Sequence, residues 1–199
     1  MAARSESLQS FLDAASAAYG QFASTSSSRA SVSQVFAALE HPGEQRTGPG
    51  VRLAVCEELD TALAVNTHHA SLQRLIDSFK GIEPKLEWRV RTKNDGTASA
   101  NFAKGHANAM IIGPGGLEQS DDVWLGVSLL APNVRYPDHD HAPEEVYLVL
   151  SEGEFRQGDG DWFSPGIGGS FYNLPGIKHA MRSLDTPLFA FWLLRAQVD

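Results

Sequence analysis

The spacing of hydrophobic residues changes once along the chain. Up to residue 83 they recur at steps of three and four. Leu8, Phe11, Leu12, Ala15 and Tyr19 form one stripe, Val32, Val35, Phe36 and Leu39 a second, and Leu72, Leu75, Ile76 and Phe79 a third. That period places each set on one face of a helix. Ser31, closing the polar stretch STSSSRAS at 24–31, is the expected N-cap of the second helix. HPGEQRTGPG at 41–50 reads as a loop from its Gly and Pro content.

From Pro84 the step becomes two. In KLEWRVR, Leu86, Trp88 and Val90 share one face, as in a strand. The apolar runs NAMIIG, VWLGVSLL, EVYLVL, GSFYNL and LFAFWLLR follow. They are divided by the turn signals GPGG (113–116), SEGE (151–154), QGDGDW (157–162) and SPGIGG (164–169). No helical stripe recurs after residue 84. Many short strands between Gly-rich turns predict a mainly β fold, an antiparallel barrel or sandwich. The expected organisation is an α-helical N-terminal extension, residues 1–83, packed on a β-barrel, residues 84–199, as one structural unit.

Composition narrows the partners. A formal charge of −8 disfavours nucleic acid and anionic membrane surfaces and is compatible with a cationic or zwitterionic ligand. No run is long and apolar enough to span a bilayer. The first twenty residues lack the apolar core of a secretory signal. A single cysteine, Cys56, excludes an intramolecular disulfide and fits a reducing compartment. The expectation is a cytoplasmic monomer or homodimer, with Cys56 buried as a small apolar residue.

Candidate chemistry gathers in DHDHAPEEVY, residues 138–147. In an extended segment His139 and His141 point to the same side. On the following strand Glu145 and Tyr147 share a face, with Val146 and Leu148 on the other. Imidazoles plus a carboxylate suit Zn, Fe, Mn, Co or Ni better than Ca or Mg. One hairpin cannot close a coordination sphere, and His179 in NLPGIKHAMRS is the obvious further group. Glu144 points away from Glu145 and reads as solvated. His106 reads as a surface or hydrogen-bonded strand histidine, and Asp121–Asp122 as turn charges.

These residues resemble a known signature. His139, His141, Glu145 and Gly153, then Gly169, Pro175, Gly176 and His179, are similar to the two-part motif of cupins, over roughly residues 85–199. The Glu145–Gly153 gap is one residue longer than usual there, Pro175–His179 is one shorter, and Ser183 replaces the family's Asn. Within the cupins, YPDHDHAPEEVYLVLSEGEF, GIGGSFYNLPGIKHAMRS and LFAFWLL resemble the Q-type of the Ddd dimethylsulfoniopropionate (DMSP) lyases of marine bacteria. That resemblance implies the double-stranded β-helix barrel and one divalent or trivalent transition metal, Zn, Fe, Mn or Co. It implies His141, Glu145 and His179 as ligands, with Tyr147 as a further resting-state ligand and the catalytic base. Tyr136 and His139 match other active-site positions, and whether His139 is a ligand stays open. The implied reaction is β-elimination of zwitterionic DMSP to dimethyl sulfide and acrylate. A sulfonium favours aromatic faces. Trp192 is the first candidate for that contact, beside Tyr136, Tyr172, Phe171 and Trp162. The alternatives are an Fe(II) cupin oxygenase acting on a small organic acid and a non-enzymatic small-molecule-binding cupin.

Overall fold

The computed structural model describes residues 3–65 and 67–196. Its helices are α1 (Glu6–Phe22), α2 (Ser26–Ala38), α3 (Leu59–Ala62), α4 (Ala70–Ile82) and a single turn, α5 (Phe102–Gly105). The predicted stripes are the buried faces of α1 and α4. Helix α2 departs from expectation at its start. Thr25, not Ser31, is the N-cap: its Oγ1 accepts from the Ser28 N–H (3.1 Å), and Ser28 Oγ accepts from the Thr25 N–H (3.1 Å). This reciprocal pair satisfies two donors that the first turn leaves free. Ser28 and Ser31 then lie within the helix and are buried, small enough to sit on its packed face. The serine-rich stretch is therefore mostly helix.

Among the described residues the strands are β1 (Trp88–Arg89), β2 (His106–Ile112), β3 (Val123–Leu130), β4 (Glu145–Val149), β5 (Glu154–Gln157), β6 (Ser170–Asn173), β7 (His179–Arg182) and β8 (Leu188–Arg195). Six make an antiparallel sheet in the order β1-β2-β3-β8-β4-β6, and β5 pairs with β7 in a second sheet. The chain before β4 runs antiparallel beside β7. Tyr136 donates to the Met181 carbonyl (2.9 Å), and His139 and His179 exchange both backbone bonds (3.0 and 2.8 Å). Two further expectations fail locally. Strand β1 stops at Arg89, because the Arg91 N–H turns away to His106 Nε2 (2.8 Å), and Val90 is left 45% exposed. The turn at 151–154 ends early, since Glu154 already belongs to β5.

The two faces of the large sheet feed different cores. Val146, Leu148, Phe189, Phe191 and Leu193 pack with helical residues such as Phe11, Tyr19 and Phe79. The Phe11 and Phe191 rings lie 5.8 Å apart and those of Phe79 and Phe189 5.2 Å. Burying each such ring contributes roughly 1.5–3 kcal/mol. The intervening residues, Tyr147, Val149 and Ala190, face inward with Tyr136, Phe155 and Met181. The helical extension thus covers the outside of the sheet, and alternation along β4 turns Glu145 and Tyr147 to the barrel interior. This is the cupin-type antiparallel barrel with an α-helical N-terminal extension.

Candidate metal centre

Three segments deliver the polar groups. Strand β4 carries Glu145 and Tyr147, β7 begins with His179, and the loop ahead of β4 brings His139 and His141. Gly176 holds this loop in place. It sits in the left-handed region at φ 69°, which favours glycine, and its N–H donates to the His141 carbonyl (3.0 Å).

The histidines share one wiring. Nδ1 of His139 faces the Pro137 carbonyl (3.0 Å), that of His141 faces Pro143 (2.8 Å), and that of His179 faces Ile177 (3.0 Å). A carbonyl only accepts, so each Nδ1 carries the proton and each Nε2 a lone pair. Nε2 of His141 and of His179 are buried without a hydrogen-bond partner among the described residues. They lie 3.4 and 3.2 Å from Glu145 Oε2. The ligand atoms of these three residues all fall within 4.8 Å of one another. Two unsatisfied imidazole nitrogens and a carboxylate meeting at one point fit a transition metal, with the Nδ1 bonds fixing the ring orientation. His139 stands beside this group, its ring centroid 4.1 Å from that of His179 and 6.4 Å from that of His141.

Burial and charge pull against each other here. Burial alone would raise the Glu145 carboxyl, yet the two imidazoles hold it below the usual carboxylate range. Asn173, fully buried, adds a bond from Nδ2 to Oε2 (2.9 Å). Burial opposes protonation of His141, but Glu145 outweighs it and raises that imidazole. The buried carboxylate thus favours positive charge beside it. His139 is pushed down to about 3 by burial and then by His179, so it stays neutral. The Tyr147 phenol is raised well above its ordinary value by burial and by Glu145. Its ring stacks on Phe171 (5.1 Å, 17° between planes).

The group opens into a cavity of about 270 Å³. Tyr136, His139, His141, Glu145, Tyr147 and Trp192 all line it, as do Arg91, Asn108, Met110, Trp124 and Ser128, which the sequence reading passed over. Part of that second set was accessible: Asn108 and Met110, then Trp124 and Ser128, recur at even steps along strands. Gly126 makes room for Trp192. A Cβ there would lie 2.4 Å from Cζ2 and Cη2 of the indole and 2.6 Å from the Ala109 carbonyl. Trp192 Nε1 donates to Ser128 Oγ (3.1 Å), Ser128 to Asn108 Oδ1 (2.6 Å), and Asn108 Nδ2 to the Tyr136 hydroxyl (3.0 Å). An indole N–H only donates, so the chain has one direction. The Tyr136 oxygen accepts, and its own proton is left for the cavity.

Other candidates fall elsewhere. Tyr172 lies opposite Val146 on the outer face, and its hydroxyl donates to Glu144, which is therefore partnered rather than simply solvated. Trp162 sits under the guanidiniums of Arg182 (4.3 Å), Arg156 (5.3 Å) and Arg135 (5.6 Å), away from the cavity. Phe171 backs Tyr147. His106 is a buried, hydrogen-bonded strand histidine, and Cys56 is buried and free.

Residues 27–190 match the family model for dimethylsulfoniopropionate lyases. The dimethylsulfoniopropionate lyase DddQ of Ruegeria pomeroyi is 30% identical over 124 residues, 62% of this chain. The match spans 61% of the length of that relative. The crystal structure of DddQ from Ruegeria pomeroyi DSS-3 has a TM-score of 0.77 at 23% identity, over 98% of this chain and 94% of that one. A structure of the DMSP lyases RdDddP and RnDddQII has a TM-score of 0.68 at 22% identity, over 95% and 92%. Both structures share the fold through helices and barrel alike. With its family match running from α2 into β8, the chain belongs to the dimethylsulfoniopropionate lyase family.

Proposed function

We propose that this chain cleaves dimethylsulfoniopropionate by metal-dependent β-elimination, giving dimethyl sulfide, acrylate and a proton. One observation carries the reading beyond family membership: Tyr147 stands two residues from Glu145 on the same inward face of β4 and lines the same cavity. The sulfonium is already a good leaving group. The obstacle is the C–H beside the carboxylate, where negative charge opposes loss of the proton.

His141, Glu145 and His179 would hold one divalent or trivalent transition metal, of the Zn, Fe, Mn or Co kind, with Tyr147 as a further ligand before substrate arrives. Such a metal supplies Lewis acidity toward a carboxylate and lowers the pKa of a nearby phenol. Tyr147 acts as the base. As the phenolate, its oxygen takes the proton from the carbon next to the carboxylate, that C–H pair becomes the new double bond, and the C–S pair leaves with dimethyl sulfide. Trp192 and Trp124 offer aromatic faces to the sulfonium, worth roughly 0.5–2 kcal/mol per contact. His139, neutral and packed on His179, supports that ring without adding charge. The chain would work in the cytoplasm, a setting that suits its free, buried Cys56.

The test is headspace detection of dimethyl sulfide from purified protein and DMSP without oxygen, with metal-stripped protein beside it. Wild type should evolve the gas anaerobically, which an oxygenase would not. Tyr147→Phe should retain metal and substrate and lose turnover by about 10²-fold or more. Full activity in that variant removes the base assignment. No gas from wild type under several metals removes the function.

A further inference from the structure

The cavity wall holds one cation. Arg91 is the sole lysine or arginine among the described residues that line it, in a chain of net charge −8. Its position is fixed from several sides. The backbone N–H donates to Nε2 of buried His106 (2.8 Å), and Nε donates to the Lys93 carbonyl (3.1 Å). The guanidinium carbon lies 6.0 Å from the centre of the Tyr136 ring. On the outer side of the small sheet Arg135, Arg156 and Arg182 each have a carboxylate oxygen within 2.7 Å. Arg91 has no carboxylate within 4 Å among the described residues. An anchored guanidinium that faces a cavity and lacks an anion offers a forked pair of donors to a planar acid group.

Its neighbour points the same way. The one-directional chain from Trp192 through Ser128 and Asn108 makes the Tyr136 oxygen an acceptor and leaves its proton to donate. Beyond the Nε bond to Lys93, the Arg91 guanidinium has no carboxylate partner among the described residues, and the Tyr136 hydroxyl proton is free beside it. Met110, Trp124 and Trp192 supply the uncharged part of the lining. A zwitterion with its acid at the donors and its cationic end on the indoles satisfies both surfaces at once.

We propose that Arg91, with the Tyr136 hydroxyl beside it, is the carboxylate-recognition residue of this cavity and selects sulfonium acids over sulfonium compounds without an acid group. This deepens the DMSP reading and rests on it for the choice of substrate. The probes are acrylate and the trimethylsulfonium ion, titrated calorimetrically into full-length protein with its metal and after chelation. The Arg91 side chain reaches into the cavity from an irregular segment, so Arg91→Gln should fold as wild type does, which thermal unfolding checks. Arg91→Gln should weaken acrylate binding by about 10- to 100-fold, since one charge-assisted pair of bonds is lost. Arg91→Lys should recover part of it, and trimethylsulfonium should bind all three proteins alike. With DMSP the glutamine variant should raise KM by a similar factor at nearly constant kcat. Acrylate affinity that ignores Arg91 overturns the proposal, as does a parallel loss for trimethylsulfonium. If wild type fails to turn over DMSP while acrylate binding still depends on Arg91, the proposed reaction fails and the carboxylate handle stands.

Discussion

His106 shows how one side chain can hold a neighbour's backbone in place. Its ring is fully buried and stacked on Phe102 (3.7 Å, 5° between planes). Nδ1 donates to the Phe102 carbonyl (2.5 Å) and Nε2 accepts from the Arg91 N–H (2.8 Å). A proton on Nε2 would face that N–H, and burial holds the imidazole below its ordinary pKa. An unfolded histidine takes up its proton near pH 6.5. The folded one resists, so its contribution to stability is present above that pH and is lost as pH falls below it toward the lower folded value. Urea midpoints at about pH 7.5 and pH 5.5, on either side of that value, should fall further for wild type than for His106→Gln. Equal falls would contradict this. At this scale the cluster of His141, Glu145 and His179 was legible, because its members stand, with His139, at the spacing of the two-part cupin motif. Arg91 was not. An arginine after a two-residue strand carries no periodic signature, and its value comes from His106, fifteen residues away in sequence and touching in space. Glu144 was misread because its partner, Tyr172, is delivered by β6 rather than by a near neighbour.

Strands and helices were legible where one face is continuous. The long apolar runs of β2, β3, β4 and β8 declare themselves. Strands β5 and β7, EFRQ and HAMR, place charged or polar residues on the half-buried face of a two-stranded sheet, and their alternation is weak. The start of α2 was hidden because serine reads as a breaker until tertiary packing buries it. Between β3 and β8 the pairing of Gly126 with Trp192 sets the cavity wall. Gly126→Ala would press a methyl group into the indole and the Ala109 carbonyl, costing about 1–3 kcal/mol and moving the ring. A lower urea midpoint with an altered near-ultraviolet circular dichroism spectrum is expected. A variant with wild-type stability and an unchanged spectrum would show that the wall yields without cost.

Across the whole molecule the N-terminal segment is fastened to the barrel by Arg4. Its guanidinium makes two bonds to Glu118 in the chain between β2 and β3, both 2.7 Å, and a third to the Leu39 carbonyl (2.9 Å). The two side chains are 5% and 1% exposed. Arg4→Ala would leave the Glu118 carboxylate buried without its counter-charge, a loss of about 3–5 kcal/mol. The pair of changes Arg4→Met and Glu118→Leu removes both charges and should be milder than the single one, as denaturant titration can check. A double variant less stable than Arg4→Ala would refute this account. The hydrophobic pattern foretold helices against a barrel. It could not show this fastening, since the partners are separated by more than half the chain.

The carbonyls that steer the three histidine rings belong to residues two positions away in each ring's own segment. Folding, not an occupant, sets the angles of the socket. An ion bound there would find its imidazoles already oriented, with little alignment entropy left to be lost. Such a socket has scant means of rejecting one first-row cation in favour of another of similar radius. Which metal such a socket would take is then decided by the medium that supplies it.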